Sequence, residues 1–272
     1  MSAENLPTPI HEITYQGNFL KWKYPEWHPR KPPLDGRGEC WGFSDASRLR
    51  MLSAMSKVNW DAIGKSLFIT LTYQDCMRPE ECSEVSTQRF CMQRYIETRI
   101  EKEVSILWRV EWAERKTGAY KNYLYPHIHL LVFDVQYIHY AMVNRWWKMV
   151  IGYPQDRYVR TETRGARNRR LAWHYLAKYC GKHSSLVIGA YLNNAFPGRS
   201  WGIMRKNRLP MHDLHKASMP DTRWIQEIYG EVVGDAPRNK YGNKSFTLLG
   251  NRACEVGDIL FGMHLDGEIE SV

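Results

Sequence analysis

No apolar run in this chain approaches the ~18 residues that a membrane span needs. The opening residues, MSAENLPTPI, carry no basic stretch followed by an apolar one, so no export signal is read there. No CxxC pair occurs among Cys40, Cys76, Cys82, Cys91, Cys180 and Cys254, and none of their spacings resembles a zinc finger. Reduced thiols without assigned chemistry are the expectation. There is no internal repeat and no low-complexity tract. A phosphate-binding loop is also missing: Gly64-Lys65-Ser66 has Asn59 where such a loop requires glycine, and it leads into a strand rather than out of one. Gly181-Lys182-His183 fails in the same way, so no ATPase is expected. What remains is a soluble, cytoplasmic protein with no membrane partner, built as one large domain or one domain with extensions.

Acidic residues are scarce where basic ones are dense. The chain carries 38 Lys and Arg against 29 Asp and Glu, a formal charge of +9. Between Arg145 and Lys182, ten Lys and Arg residues face only Asp156 and Glu162. From Cys254 to Val272 the balance reverses, with five acids and no Lys or Arg. A basic excess concentrated in one stretch is the footprint of a polyanionic partner, most often nucleic acid.

Residues 1–43, rich in Trp, Pro and Gly, read as an extended N-terminal arm. Residues 44–205 read as the main body and 206–272 as a weakly patterned C-terminal extension. Within the body, the pattern predicts a helix from Ser44 or Asp45 to Lys57 and a central strand over Ser66–Tyr73, SLFITLTY. A helix over Ser86–Glu103 is predicted to bury Phe90, Ile96 and Ile100. Strands follow over Ser105–Trp112 and His127–Phe133, then a helix over Val135–Val150, a short strand over Arg157–Thr161 and a helix from about Asn168 to Gly181. This order suits an α+β fold: a mostly antiparallel sheet with helices packed on it.

Strand alternation puts His127 and His129 on one face, about 7 Å apart along the chain, and Ile128 on the other. Two such imidazoles can ligate one divalent cation. A third ligand would come from the neighbouring strand, where Leu107, Arg109 and Glu111 share a face; Glu111 is the first candidate and Glu114 the reserve. By themselves the two histidines fit equally a solvent-facing strand with no metal.

On the predicted helix AWHYLAKYCGK, at about 100° per residue, Tyr175, Tyr179, Lys178, Lys182 and His174 fall on one face and the remainder is apolar. Tyr175 and Tyr179 stack one turn apart, roughly 6 Å along the axis. A phenol, with its pKa of about 10, is a poor nucleophile at neutral pH unless nearby cations lower the cost of phenolate. Attack on a phosphodiester also needs the phosphate charge neutralised, which a divalent ion does. Two tyrosines, two lysines and a two-His-one-acid site form a coherent set for transesterifying a nucleic acid backbone. Tyrosines on a helix also commonly pack with the hydroxyl reaching water.

Three segments in order, Phe68-Ile-Thr-Leu-Thr72, Pro126-His-Ile-His-Leu130 and Tyr175-Leu-Ala-Lys-Tyr179-Cys-Gly-Lys182, resemble the motifs of rolling-circle replication initiators of the HUH endonuclease superfamily. Gly198-Arg-Ser-Trp-Gly202 resembles a stretch that often follows the tyrosine motif. The resemblance covers roughly residues 44 to 203. It implies an antiparallel sheet of RRM-like topology, with His127, His129 and Glu111 binding Mg²⁺ or Mn²⁺. It implies that a tyrosine attacks single-stranded DNA at a replication origin, leaving a 5′-phosphotyrosine and a free 3′-OH. The two tyrosines resemble the phage and plasmid type; Tyr179 is placed first and Tyr175 second, with Lys178 and Lys182 steadying phosphate or phenolate. Arg164, Arg167, Arg169, Arg170 and Arg199 are the expected nucleic-acid contacts. The expected partners are origin DNA, as a single strand or hairpin, and a host helicase and DNA polymerase in a bacterial or archaeal cytoplasm. The alternatives are a single-strand DNA transposase of the same superfamily and a non-catalytic single-stranded nucleic acid binder.

Overall fold

β-Branched and large apolar residues crowd the strand-forming segments 66–72 and 128–132, and their alternation decides which face each side chain takes. In a computed structural model of the chain, the described residues are 11–17, 19–23, 43–73, 84–118, 120–166, 199–219, 229–234, 246–249 and 252–258. They fall into two compact units, one of Arg37–Met51 with Trp60–Pro210, the other of Met1–Gly36, Leu52–Asn59 and Met211–Val272. No described helix is long and apolar enough to cross a membrane.

In the smaller unit, β1 (His11–Gln16) and β2 (Phe19–Lys23) form a hairpin. β8 (His215–Met219) flanks β1 and β9 (Phe246–Leu249) flanks β2, giving an antiparallel four-stranded sheet. Segments read from sequence as an extended arm and a separate extension thus share one sheet. Trp22, read as part of an irregular strap, is buried in β2 together with Leu20. The hairpin turn needs Gly17: its φ is +56°, and a Cβ there would lie 2.2 Å from the His212 ring.

The larger unit holds β3 (Ser66–Thr72), β4 (Ile106–Glu114), β5 (Leu124–Val132), β6 (Thr161–Ala166) and β7 (Trp201–Met204) in one sheet, ordered β6-β3-β5-β4-β7. Every neighbouring pair is antiparallel. α1 (Asp45–Ser56) starts where predicted, with the Ser44 hydroxyl accepting from the Ser47 N–H at 3.2 Å. α2 (Val85–Ile100) and α3 (Tyr140–Val150) join the core on a single face of the sheet. That face presents Leu67, Ile69 and Leu71 from β3, Ile128, Leu130 and Val132 from β5, and Ile106, Trp108 and Val110 from β4. Met92 and Ile96 of α2 and Val143 and Trp147 of α3 complete the packing. Each such side chain removed from water contributes about 1.5–3 kcal/mol.

Two helices differ from expectation for local reasons. Phe90 is 56% exposed. The buried stripe runs through Val85, Met92 and Ile96, and two residues of helix rotate Phe90 about 200° from Met92. α3 starts five residues later than predicted, because the His139 ring nitrogen accepts from the Ala141 N–H at 3.2 Å and caps the helix. The short strand predicted at Arg157–Thr161 begins at Thr161 instead. The helix predicted over residues 168–181 lies outside the described residues.

Candidate metal and nucleic-acid site

The helix-free pattern of polar side chains on the sheet's other face follows from the strand register. Glu111 sits opposite His127 and Arg109 opposite His129 across the β4–β5 ladder. Across the β3–β5 ladder Thr72 sits opposite His127 and Thr70 opposite His129. Directly paired residues of antiparallel strands share a face, so both imidazoles, both threonines, Arg109 and Glu111 lie on one side. The predicted alternation of β4 and β5 is the one observed.

The threonines hold the histidines. Thr70 Oγ1 lies 3.2 Å from His129 Nδ1, and Thr72 Oγ1 lies 3.2 Å from His127 Nδ1. With Nδ1 engaged, Nε2 is left as the outward-facing nitrogen of each ring. His129 Nε2 stands 3.0 Å from Glu111 Oε2, with the two side chains 7% and 15% exposed. A carboxylate oxygen and an imidazole nitrogen this close share a positive centre, which a proton or a cation can supply. Adjacent ligands of an octahedral ion with bonds of about 2.1 Å are themselves about 3.0 Å apart, so the pair fits a divalent ion. Phe68 stacks on His129 with ring centroids 5.9 Å apart and fixes the ring plane. Trp147 Nε1 donates to the Thr72 carbonyl at 3.0 Å and steadies that end of β3.

The gathering is partial. Among the described residues no three His, Cys, Asp or Glu side chains come together as a metal-binding group. His129 and Glu111 are in contact, and His127 stands one register step along the same face. The reserve candidate Glu114 has the opposite strand parity to Glu111 and is ion-paired with Lys116 at 3.3 Å.

The basic residues divide. Arg164 on β6 pairs in register with Phe68, which places it on the histidine face, and it is ion-paired with Glu162. Glu162 is in register with Thr70, so this acid also belongs to the histidine face. Arg199 instead lines a cavity of about 300 Å³ with Arg89 and Trp108, on the side where the helices pack. There the Arg89 guanidinium lies 3.5 Å from the Trp108 ring centre, and burial lowers its pKa to about 10. Tyr175, Tyr179, Lys178, Lys182, Arg167, Arg169 and Arg170 lie outside the described residues.

Sequence reasoning passed over the roles of Thr70 and Thr72. Their period-two spacing in FITLT is the same signal that marked His127 and His129, displaced to the partner strand. Arg109 is a second omission: 4% exposed, it lies in register with His129 and places its guanidinium 4.2 Å from the Phe43 ring centre. Trp201, in the stretch resembling the family, is in register with Arg109 and donates from its indole nitrogen to the Ser47 hydroxyl at 3.0 Å.

Residues 66–184 match a family model for replication-associated proteins, the ORF2 family. The match opens on the first residue of β3 and includes β4, β5 and both histidines. This segment is therefore similar to replication-associated proteins, a likeness consistent with a rolling-circle replication initiator. No curated protein and no solved structure matches the chain.

Proposed function

We propose that the protein nicks and rejoins single-stranded DNA at a replication origin, beginning and ending rolling-circle replication through a 5′-phosphotyrosine. The observation that carries this reading is the contact of Glu111 with His129 beside His127, on the side of β3, β4 and β5 away from the helices, inside the segment similar to replication-associated proteins. His127, His129 and Glu111 would hold Mg²⁺ or Mn²⁺, which supplies neutralisation of the scissile phosphate charge. Thr70 and Thr72 keep the two rings turned so that Nε2 faces that phosphate. The Tyr179 hydroxyl attacks phosphorus, the bond from phosphorus to the 3′ oxygen breaks, and the phenolic proton is made up on the departing 3′-OH. Attack by a 3′-OH on the phosphotyrosine reverses the step and joins the strand, and Tyr175 serves the second transfer. Lys178 and Lys182 favour phenolate and hold the phosphate. The DNA polymerase extending the 3′-OH and the helicase opening the duplex are host proteins.

The test is incubation with origin-bearing single-stranded DNA and Mn²⁺. A covalent adduct is expected for the wild type and for Tyr175→Phe, and none for Tyr179→Phe. Equal loss in both variants reverses nothing about the chemistry but refutes the assigned order of the tyrosines. His127→Ala or His129→Ala should abolish cleavage while most DNA affinity persists. Binding with no adduct under any divalent ion would instead establish the non-catalytic single-strand binder. That second reading is favoured by one observation, the incomplete three-ligand group among the described residues.

A further inference from the structure

At the end of β3 and the start of β5 the histidine face opens into a cleft of about 530 Å³, walled by Thr72 and His127 on one side and by Tyr153, Tyr158 and Arg160 on another. The volume lies within the range of pockets that hold a small ligand, here one nucleotide. Its tyrosine-bearing wall, the segment between α3 and β6, is bolted to α3. Lys148 Nζ donates to the Gln155 carbonyl at 2.9 Å, the Tyr153 N–H donates to the Lys148 carbonyl at 2.8 Å, and Asn144 Nδ2 donates to the Val159 carbonyl. Val159 is fully buried, so its neighbours Tyr158 and Arg160 are turned outward, and Tyr158 is 73% exposed. The acid at the rim, Glu114, is ion-paired with Lys116. An aromatic ring held out in water on a fixed segment, next to a guanidinium and opening onto the histidine, has the chemistry of a stacking platform for a nucleobase.

We infer that this cleft is a single-nucleotide subsite on the path of single-stranded DNA, with Tyr158 stacking on the base beside the scissile phosphate and Arg160 holding that nucleotide's own phosphate. The identity of the strand rests on the nicking reading above, and the subsite deepens it by naming two positioning residues. Stacking needs no hydroxyl and no particular base, so the subsite is tolerant of sequence and orders the strand rather than reading it. Because α3 fixes the wall in advance, the strand is ordered without moving the protein.

The experiment uses the full chain without metal and a fluorescein-labelled single-stranded oligonucleotide of mixed sequence. Affinity is read by anisotropy across a salt series. In parallel, an oligonucleotide carrying 5-iodouracil is photocrosslinked and the attachment site is mapped by mass spectrometry. Tyr158→Ala should weaken binding about 5- to 100-fold and Tyr158→Phe less than twofold. Arg160→Ala should reduce the slope of log affinity against log salt by about 0.7. The crosslink should map to Tyr158. Unchanged affinity in Tyr158→Ala, or a crosslink mapped only to other segments, overturns the subsite. Repeating the measurement in His129→Ala separates the two claims. Crosslinking at Tyr158 without any adduct in the Mn²⁺ assay keeps the subsite and removes the nicking reading. An adduct with DNA binding indifferent to Tyr158 does the reverse.

Discussion

Replacing Thr70 with valine removes one oxygen from the site and almost nothing else. The side chains have nearly the same shape, valine suits a strand at least as well as threonine, and Thr70 lies between two flanking strands that fix the backbone. What is lost is the 3.2 Å contact from Thr70 Oγ1 to His129 Nδ1. That contact sets which nitrogen faces Glu111 and holds the ring in the plane where Phe68 stacks. Loss of such a supporting bond typically lowers metal affinity 10- to 100-fold, or about 1.4–2.8 kcal/mol. The assay is cleavage of single-stranded origin DNA across a Mn²⁺ titration, alongside thermal unfolding. The midpoint in Mn²⁺ should move to 10- to 100-fold higher concentration, cleavage at saturating metal should recover to near the wild-type rate, and the stability change should stay near 1 kcal/mol. An unmoved midpoint would falsify the claim that Thr70 orients a ligand. A loss that no concentration of Mn²⁺ restores would show that the ring has a task other than ligation. Thr72→Val makes the same cut at His127, so a shift in Thr70→Val alone would leave His127 outside the ion's ligand set.

Glu111→Ala should lose most metal-dependent cleavage while keeping DNA affinity; a cleavage rate equal to wild type would move the acidic ligand to another residue, Glu162 being the next acid on that face. Glu97 gives a pH prediction. Burial raises its pKa, but hydrogen bonds from Arg205, Gln93 and the Val104 N–H outweigh that and hold it below the usual carboxylate value. A depressed folded pKa stabilises the fold above the ordinary carboxylate range and ceases to do so as pH falls through the folded value. Glu97→Gln should therefore cost roughly 0.5–1 kcal/mol at pH 7, with the difference from wild type closing in acid; a gap that persists unchanged at pH 2 contradicts the assignment. Gly202→Ala should destabilise by about 1–3 kcal/mol, because its Cβ would stand 2.8 Å from the Trp108 ring; denaturation midpoints that coincide would mean Trp108 moves aside freely.

The strands that carry the site were legible because their chemistry alternates. In β5 the histidines and the aliphatic residues occupy opposite parities, so one decision about secondary structure assigns all of them to faces. Glu111 was legible for the same reason, as an acid in the row beside the histidines. Sheet order was not legible: nothing local to Ser66–Thr72 says that β3 flanks β5 on the side away from β4, and so the threonines were read only as strand formers. The smaller sheet escaped altogether. Its strands pair across sequence separations of up to about two hundred residues, as His11 with Met219, and no periodicity within a window of a dozen residues reports a partner that distant. The turn after α3 was misjudged because a capping histidine at residue 139 is a rarer signal than the Ser, Thr, Asp or Asn by which helix starts are usually recognised.

Register ties the core to the chemistry through a single strand. Ile128, Leu130 and Val132 are fully buried, and they interleave with His127, His129 and Leu131. A slip of one residue would exchange the two sets, burying both imidazoles against α2 and α3 and presenting isoleucine and leucine beside Glu111. The cost of such a slip, several buried aliphatic side chains and two unsatisfied rings, is what aims the histidines at Glu111. Conservative changes on the buried parity, such as Ile128→Val, should then reduce stability by about 0.5–1.5 kcal/mol without moving the Mn²⁺ midpoint. Changes to Thr70 should move the midpoint with little effect on stability. The opposite pattern, stability following the threonine and the metal midpoint following the isoleucine, would mean that the two faces of β5 are not the independent structural and chemical surfaces described above.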